Sequence, residues 1–115
     1  MIRAECNARL NNLQKAVDDI NLVRTKRYKT GTYTAMTLAD LGSNAANVLK
    51  EVLLERRREL YGQELRLFDI KRLHLPVTHY LNSRRLDLPA DDPKMVWPIF
   101  TKYIELNPEL EQNTR

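Results

Sequence analysis

Cysteine occurs once in the 115 residues, as Cys6, so neither an internal disulfide nor a multi-cysteine metal site can be built. Nothing resembling a signal peptide precedes Cys6, so it reads as a small apolar residue on a helix face rather than as a lipidation site. Proline is missing from the first 75 positions; all five prolines lie at or beyond Pro76. That absence predicts a helical portion over 1–75 and an irregular or extended segment over 76–115. No run of about 18 apolar residues exists to span a bilayer. Glycine-rich phosphate loops, the Gly-x-Ser-x-Gly elbow and the His-Glu-x-x-His pair are all missing, so neither an enzyme nor a cofactor is expected. His74 and His79 are five apart and straddle Pro76, a spacing that does not put two imidazoles on one helix face for a metal.

What is present, 43% apolar and 30% charged residues, suits one small globular domain. Ile2, Cys6 and Leu10, with Ala4 and Ala8 interleaved, predict the apolar face of a first helix. After the Asn11-Asn12 turn, Leu13, Ala16, Val17, Ile20 and Val23 predict a second over 13–25, antiparallel to the first. This pair resembles the hairpin of a tetratricopeptide-type repeat, without a second copy at a fixed period. Residues 25–42, with Thr, Tyr, Gly31 and Gly42, read as a long connection able to project. Ser43 is the expected N-cap of a third helix running to Tyr61-Gly62, with Ala45, Val48, Leu49, Val52, Leu53 and Leu60 on one face. A fourth helix fits Leu65 to Leu73, where Leu65, Leu67, Phe68, Ile70 and Leu73 suggest burial on several sides. A chain this small can hardly cover all these surfaces, so the isolated chain is expected to self-associate or to be marginally stable.

The net charge of +4 admits nucleic acid or an anionic surface as partner. Arg56, Arg57 and Arg58 nevertheless point in three directions on a helix and are flanked by Glu55 and Glu59, which favours ion pairing over a phosphate-binding stripe. Arg66, Asp69 and Arg72 repeat at a spacing of three; Arg66 and Asp69 are expected to pair and to tie their helix to the one carrying Glu55 to Glu59. Asp91-Asp92, between Pro89 and Pro93, reads as turn chemistry. Tyr28, Tyr33, Tyr80, Trp97 and Tyr103 are scattered, and no two share a spacing that guarantees a common face; Trp97 between Val96 and Pro98 is expected to be a packing anchor. Tyr28 and Tyr33, on the 25–42 connection, are the only candidates for ligand contact.

The stretch 55–73, ERRRELYGQELRLFDIKRL, carries Glu55, Arg56, Arg57, Glu59, Leu60, Gly62, Arg66, Phe68, Asp69, Ile70, Lys71 and Arg72. It resembles the SusD/RagB signature, in which a Glu-Arg-Arg helix ends in an aromatic-Gly-Glu-Gly turn followed by Arg-x-x-Asp-Leu-Lys-Arg. Gln63-Glu64 stands where that family has Glu-Gly, which puts the turn in question because a non-glycine resists positive φ. Leu88 to Pro93, Trp97-Pro98-Ile99 and Ile104 to Asn113 follow in the order of the family's closing motifs, with Phe100 and Tyr103 replacing Pro and Glu. The opening Ile2 to Leu10 is similar to the family's last repeat-like hairpin.

The resemblance implies a mainly α, SusD-like superhelix fragment: the C-terminal part of a longer lipoprotein on the outer membrane of a Bacteroidetes-type bacterium. That protein would capture oligosaccharides or other nutrients for a TonB-dependent SusC-like transporter. The family's sugar-contacting aromatics lie upstream of this region, so the portion here is expected to be mainly scaffold, with Glu55, Arg56, Arg66, Asp69 and Arg72 as its structural motif. A stand-alone helical protein–protein adaptor is the alternative reading and a basic nucleic-acid module a weaker one; neither accounts for the ordered C-terminal motifs.

Overall fold

The computed structural model describes residues 1–114, and the chain divides into two compact units, Met1–Gln63 and Glu64–Arg115. The fold is mainly helical with one small sheet, and no helix among the described residues is long and apolar enough to cross a membrane. In the first unit, α1 (Ile2–Arg9) and α2 (Leu13–Arg27) form a tight hairpin. Its turn is a Schellman closure: Asn12 N–H donates to the Asn7 carbonyl at 2.8 Å and Asn11 N–H to that of Ala8 at 3.2 Å. Asn11 takes the left-handed φ of 60° this closure requires, a conformation asparagine tolerates better than most residues. Arg3 and Asn7 both reach Asp19 near the middle of α2, which fixes the antiparallel register.

The third helix, α3 (Ala45–Glu59), completes the core. Asn44, not Ser43, is its N-cap: Asn44 Oδ1 accepts from the Ala46 and Asn47 amides at 2.8 and 3.3 Å. Ser43 instead lies at φ 51°, directly after Gly42 at φ 64°, completing the left-handed exit from a 3₁₀ turn over Ala39–Leu41. Ala4, Ala8, Ala16, Val17, Ile20, Val48 and Val52 are buried together, with Met1, Leu13, Met36, Leu38, Leu41 and Leu49 packed around them. On α1 the buried face is therefore Ala4 and Ala8, whereas Ile2, Cys6 and Leu10 are exposed. Three alanines at the centre let the helix backbones approach closely, which large side chains at those positions would prevent.

The connection from α2 to α3 is fastened down rather than projecting. Asn21 in α2 clasps the Met36 backbone with its side-chain amide, accepting from Met36 N–H at 2.9 Å and donating to the Met36 carbonyl at 2.8 Å. A reciprocal pair, Thr37 N–H to Asp40 Oδ2 and Asp40 N–H to Thr37 Oγ1, shapes the turn that follows.

The second unit begins with α4 (Arg66–Arg72), which ends in another Schellman closure, His74 at φ 50°, just before Pro76. Asp69 and Ile70 of this helix are buried, but Leu67 and Phe68 are exposed, so the expected burial on several sides is confined to one. Beyond it, β1 (Val77–Leu81) and β2 (Arg84–Leu88) pair as an antiparallel hairpin in the register Val77↔Leu88, His79↔Leu86, Leu81↔Arg84. The two-residue turn has positive φ at both Asn82 and Ser83, as a type I′ turn demands. Asp91, at φ 59°, and Asp92, whose carboxylate caps a 3₁₀ turn over Pro93–Met95, perform turn chemistry.

The last helix, α5 (Thr101–Leu106), is followed by a segment that folds back on residues 97–99. Gln112 clasps Ile99 as Asn21 clasps Met36, bonding both its N–H and its carbonyl at 2.9 Å, and Asn113 donates to the Trp97 carbonyl at 2.7 Å. Trp97 is not a packing anchor: the residue is 84% exposed.

Candidate functional site

The most elaborate polar arrangement in the described residues lies in the first unit, where the C-terminal turns of α2 face α3. Arg24 and Arg27 sit three apart, on one face of α2; Glu51, Glu55 and Glu59 recur every fourth residue along α3. Arg24 bonds Glu55 Oε2 through both Nε and Nη2, at 2.9 and 2.7 Å, and also holds Glu51. Arg27 pairs with Glu59, its Nε at 3.0 Å, and Arg58 adds a bond to Glu55 at 3.1 Å.

Burial pushes the Glu55 carboxyl up, but the hydrogen bond and charge of Arg24, followed by those of Arg58, outweigh it and hold the group below the usual carboxylate range. Burial likewise works against the charged Arg24, and its bonds to Glu55 and Glu51 more than reverse that, raising its pKa. These paired groups, with Tyr28, line an open groove of about 630 Å³.

The structure brings Tyr28 and Tyr33 together, although their spacing promised no shared face. Their ring centroids lie 5.1 Å apart with a 33° tilt. Tyr33 is half-buried and donates its hydroxyl to Asn21 Oδ1 at 2.6 Å. The side chain that clasps Met36 thus also fixes Tyr33, and Tyr33 backs Tyr28, which is 55% exposed at the groove.

The other residues singled out from the sequence fall elsewhere. Glu55 belongs to this network, and Arg56 is half-buried one position further along α3. On α4, Asp69 is 5% exposed and takes Arg72 Nε at 2.7 Å, while Arg66 opens the helix at its exposed end. His74 bonds Asp91 at 2.7 Å, both exposed, and His79 lies across the hairpin from Leu86. No group of three or more His, Cys, Asp or Glu able to hold a metal occurs among the described residues. Asn21, Arg24, Arg27 and Glu51 were not singled out. The four-residue spacing of the three glutamates was the available signal, since it lines carboxylates along one helix face.

A mainly α chain whose third helix ends in the Glu-Arg-Arg signature, and whose closing segment is clasped by Gln112 and Asn113, has the architecture of a SusD-like helical fragment. The model of the SusD family matches residues 1–115, and the chain belongs to that family. Members of the SusD family are glycan-binding, nutrient-uptake proteins of the outer membrane, not enzymes. Among the curated proteins and the solved structures, none matches this chain.

Proposed function

We propose that this chain is the C-terminal, mainly scaffolding part of an outer-membrane receptor that captures oligosaccharides or other nutrients and passes them to a TonB-dependent SusC-like transporter. The observation that carries the reading is the family match along all 115 residues. The charge pattern agrees with it: Arg24, Arg27 and Arg58, which would serve a phosphate backbone, are engaged with Glu51, Glu55 and Glu59. Glu55, Arg56, Arg66, Asp69 and Arg72 then serve the scaffold, not the ligand. The large side chains exposed on the second unit, including Phe68, Tyr80, Trp97 and Phe100, suit a part that other surfaces of the receptor or its transporter cover.

Fractionation of cells expressing the tagged protein from its native locus tests this. Recovery with the outer membrane, surface accessibility to protease on intact cells and co-purification of a TonB-dependent barrel are the expected results. A tag confined to the soluble fraction, or binding to DNA that weakens steeply with salt, would overturn the reading.

A further inference from the structure

Among the described residues, the β1–β2 sheet ends after two strands, so each strand keeps an outer edge with no neighbour. A two-stranded hairpin is marginal by itself; three or more strands over an apolar face make a stable sheet. One face here is apolar and largely uncovered. The cross-strand pairs Val77–Leu88, His79–Leu86 and Leu81–Arg84 share it, and Leu81 and Leu86 are 62% and 50% exposed. Neither proline nor lysine occurs over Arg84–Leu88 to guard the β2 edge.

The ladder fixes which groups that edge offers. Across the two-residue turn Leu81 and Arg84 exchange both main-chain bonds, and the bonding alternates from there. Arg84, Leu86 and Leu88 therefore bond to β1, while Arg85 and Asp87 turn their N–H and C=O outward. An antiparallel strand that uses these groups is self-complementary about Leu86. Arg85 of one copy lies opposite Asp87 of the other, twice, each pair exchanging two main-chain bonds and joining opposite charges on one face. Asp87 already accepts from Thr78 and from the Arg85 of its own strand, but it is exposed, and a carboxylate has lone pairs left for a second guanidinium. On the other face Leu86 meets the Leu86 of the second copy, and the apolar stem of Arg84 lies along Leu88. Registers shifted by two residues set Arg85 against Arg85 or Asp87 against Asp87, which repel. The β1 edge turns Thr78 and Tyr80 outward, and its symmetric pairing would place His79 beside His79 with no opposite charges to join.

We infer that the β2 edge is a docking surface for a second copy of this chain, the two hairpins joining through β2 into a four-stranded antiparallel sheet centred on Leu86. The inference is independent of the receptor reading above.

Sedimentation velocity of the full 115-residue chain over a concentration series tests it. A reversible monomer–dimer equilibrium is expected. Asp87→Arg and Arg85→Asp should each weaken dimerisation at least tenfold, because like charges then face each other. An equimolar mixture of these two variants should dimerise again, because every arginine then meets an aspartate. Recovery on mixing separates the edge contact from damage to the fold, which mixing would not repair. The register is read in a Cys6→Ser background: Leu86→Cys should cross-link on mild oxidation, since partners in a non-hydrogen-bonded pair sit about 4.5 Å apart, and Arg84→Cys should not. A chain that stays monomeric at every concentration, a dimer that survives both charge changes, a mixture that stays monomeric, or equal cross-linking of the two cysteine variants would each overturn the proposal.

Discussion

The two units solve the burial problem differently. The first surrounds Ile20, Val17, Val48 and Val52, all fully buried, with helices that approach over alanine. In the second, the buried positions among the described residues are Asp69 and Ile70 alone, while Trp97, Phe100, Tyr103 and Leu106, spaced three apart, stand in solvent. The second unit is held instead by directed hydrogen bonds: the β1–β2 ladder, the Gln112 clasp on Ile99 and the Asn113 bond to Trp97. Apolar content therefore does not by itself make a core. A helix hairpin with a third helix across it can enclose side chains, whereas a two-stranded hairpin and a six-residue helix have too little surface to do so.

Truncation should expose this contrast most sharply. Ile20→Ala is expected to cost about 4 kcal/mol in urea unfolding, since a fully buried side chain leaves a cavity. Phe100→Ala, at a residue 67% exposed, should change stability by less than about 0.5 kcal/mol. A large cost for Phe100→Ala that grows with protein concentration would mean that self-association covers the second unit. Asp69→Ala should cost about 1 kcal/mol in thermal melts, since it removes a buried carboxylate from the partly exposed Arg72. An unchanged melting temperature would show that Asp69 carries no such weight.

Acid should weaken the first unit through Glu55. Its pKa is lowered by folding, so its contribution is complete above the ordinary value of 4.5 and is lost as pH falls through the depressed folded value. A denaturant series across the carboxylate range should show this loss, and Glu55→Gln should flatten it. A further effect concerns Glu64, which occupies the family's glycine position and adopts φ 58°. Glu64→Gly should stabilise by about 1 kcal/mol by relieving the left-handed strain; a loss of stability would show that the Glu64 side chain contributes more than its backbone costs.

Much of the first unit was legible because helical periodicity reports directly on packing: α1, α2 and α3 fall close to where Ala16, Val17, Ile20, Val48 and Val52 placed them. Which face of α1 turns inward was not, since Ile2-Cys6-Leu10 and Ala4-Ala8 are both periodic, and the choice depends on how near α2 and α3 come. Ser43 lost the cap to Asn44 for a similar reason; both are good caps, and the preceding left-handed Gly42 set the phase. The β1–β2 hairpin was not read within the irregular or extended 76–115, because the Asn82-Ser83 turn is a fainter signal than Asn-Gly. The Tyr28–Tyr33 pair was beyond reach, because it depends on Asn21, twelve residues before Tyr33, making a tertiary bond.

Two segments of backbone, at Met36 and at Ile99, thus owe their closure to one primary amide each. Hydrolysis of such an amide exchanges an NH₂ for an oxygen with almost no change in volume, yet it turns a donor into an acceptor aimed at a carbonyl. Chemical ageing at Asn21 or Gln112 would add one negative charge and unfasten a loop at the same stroke, so the shelf life of the fold is written into two side chains that bury almost nothing.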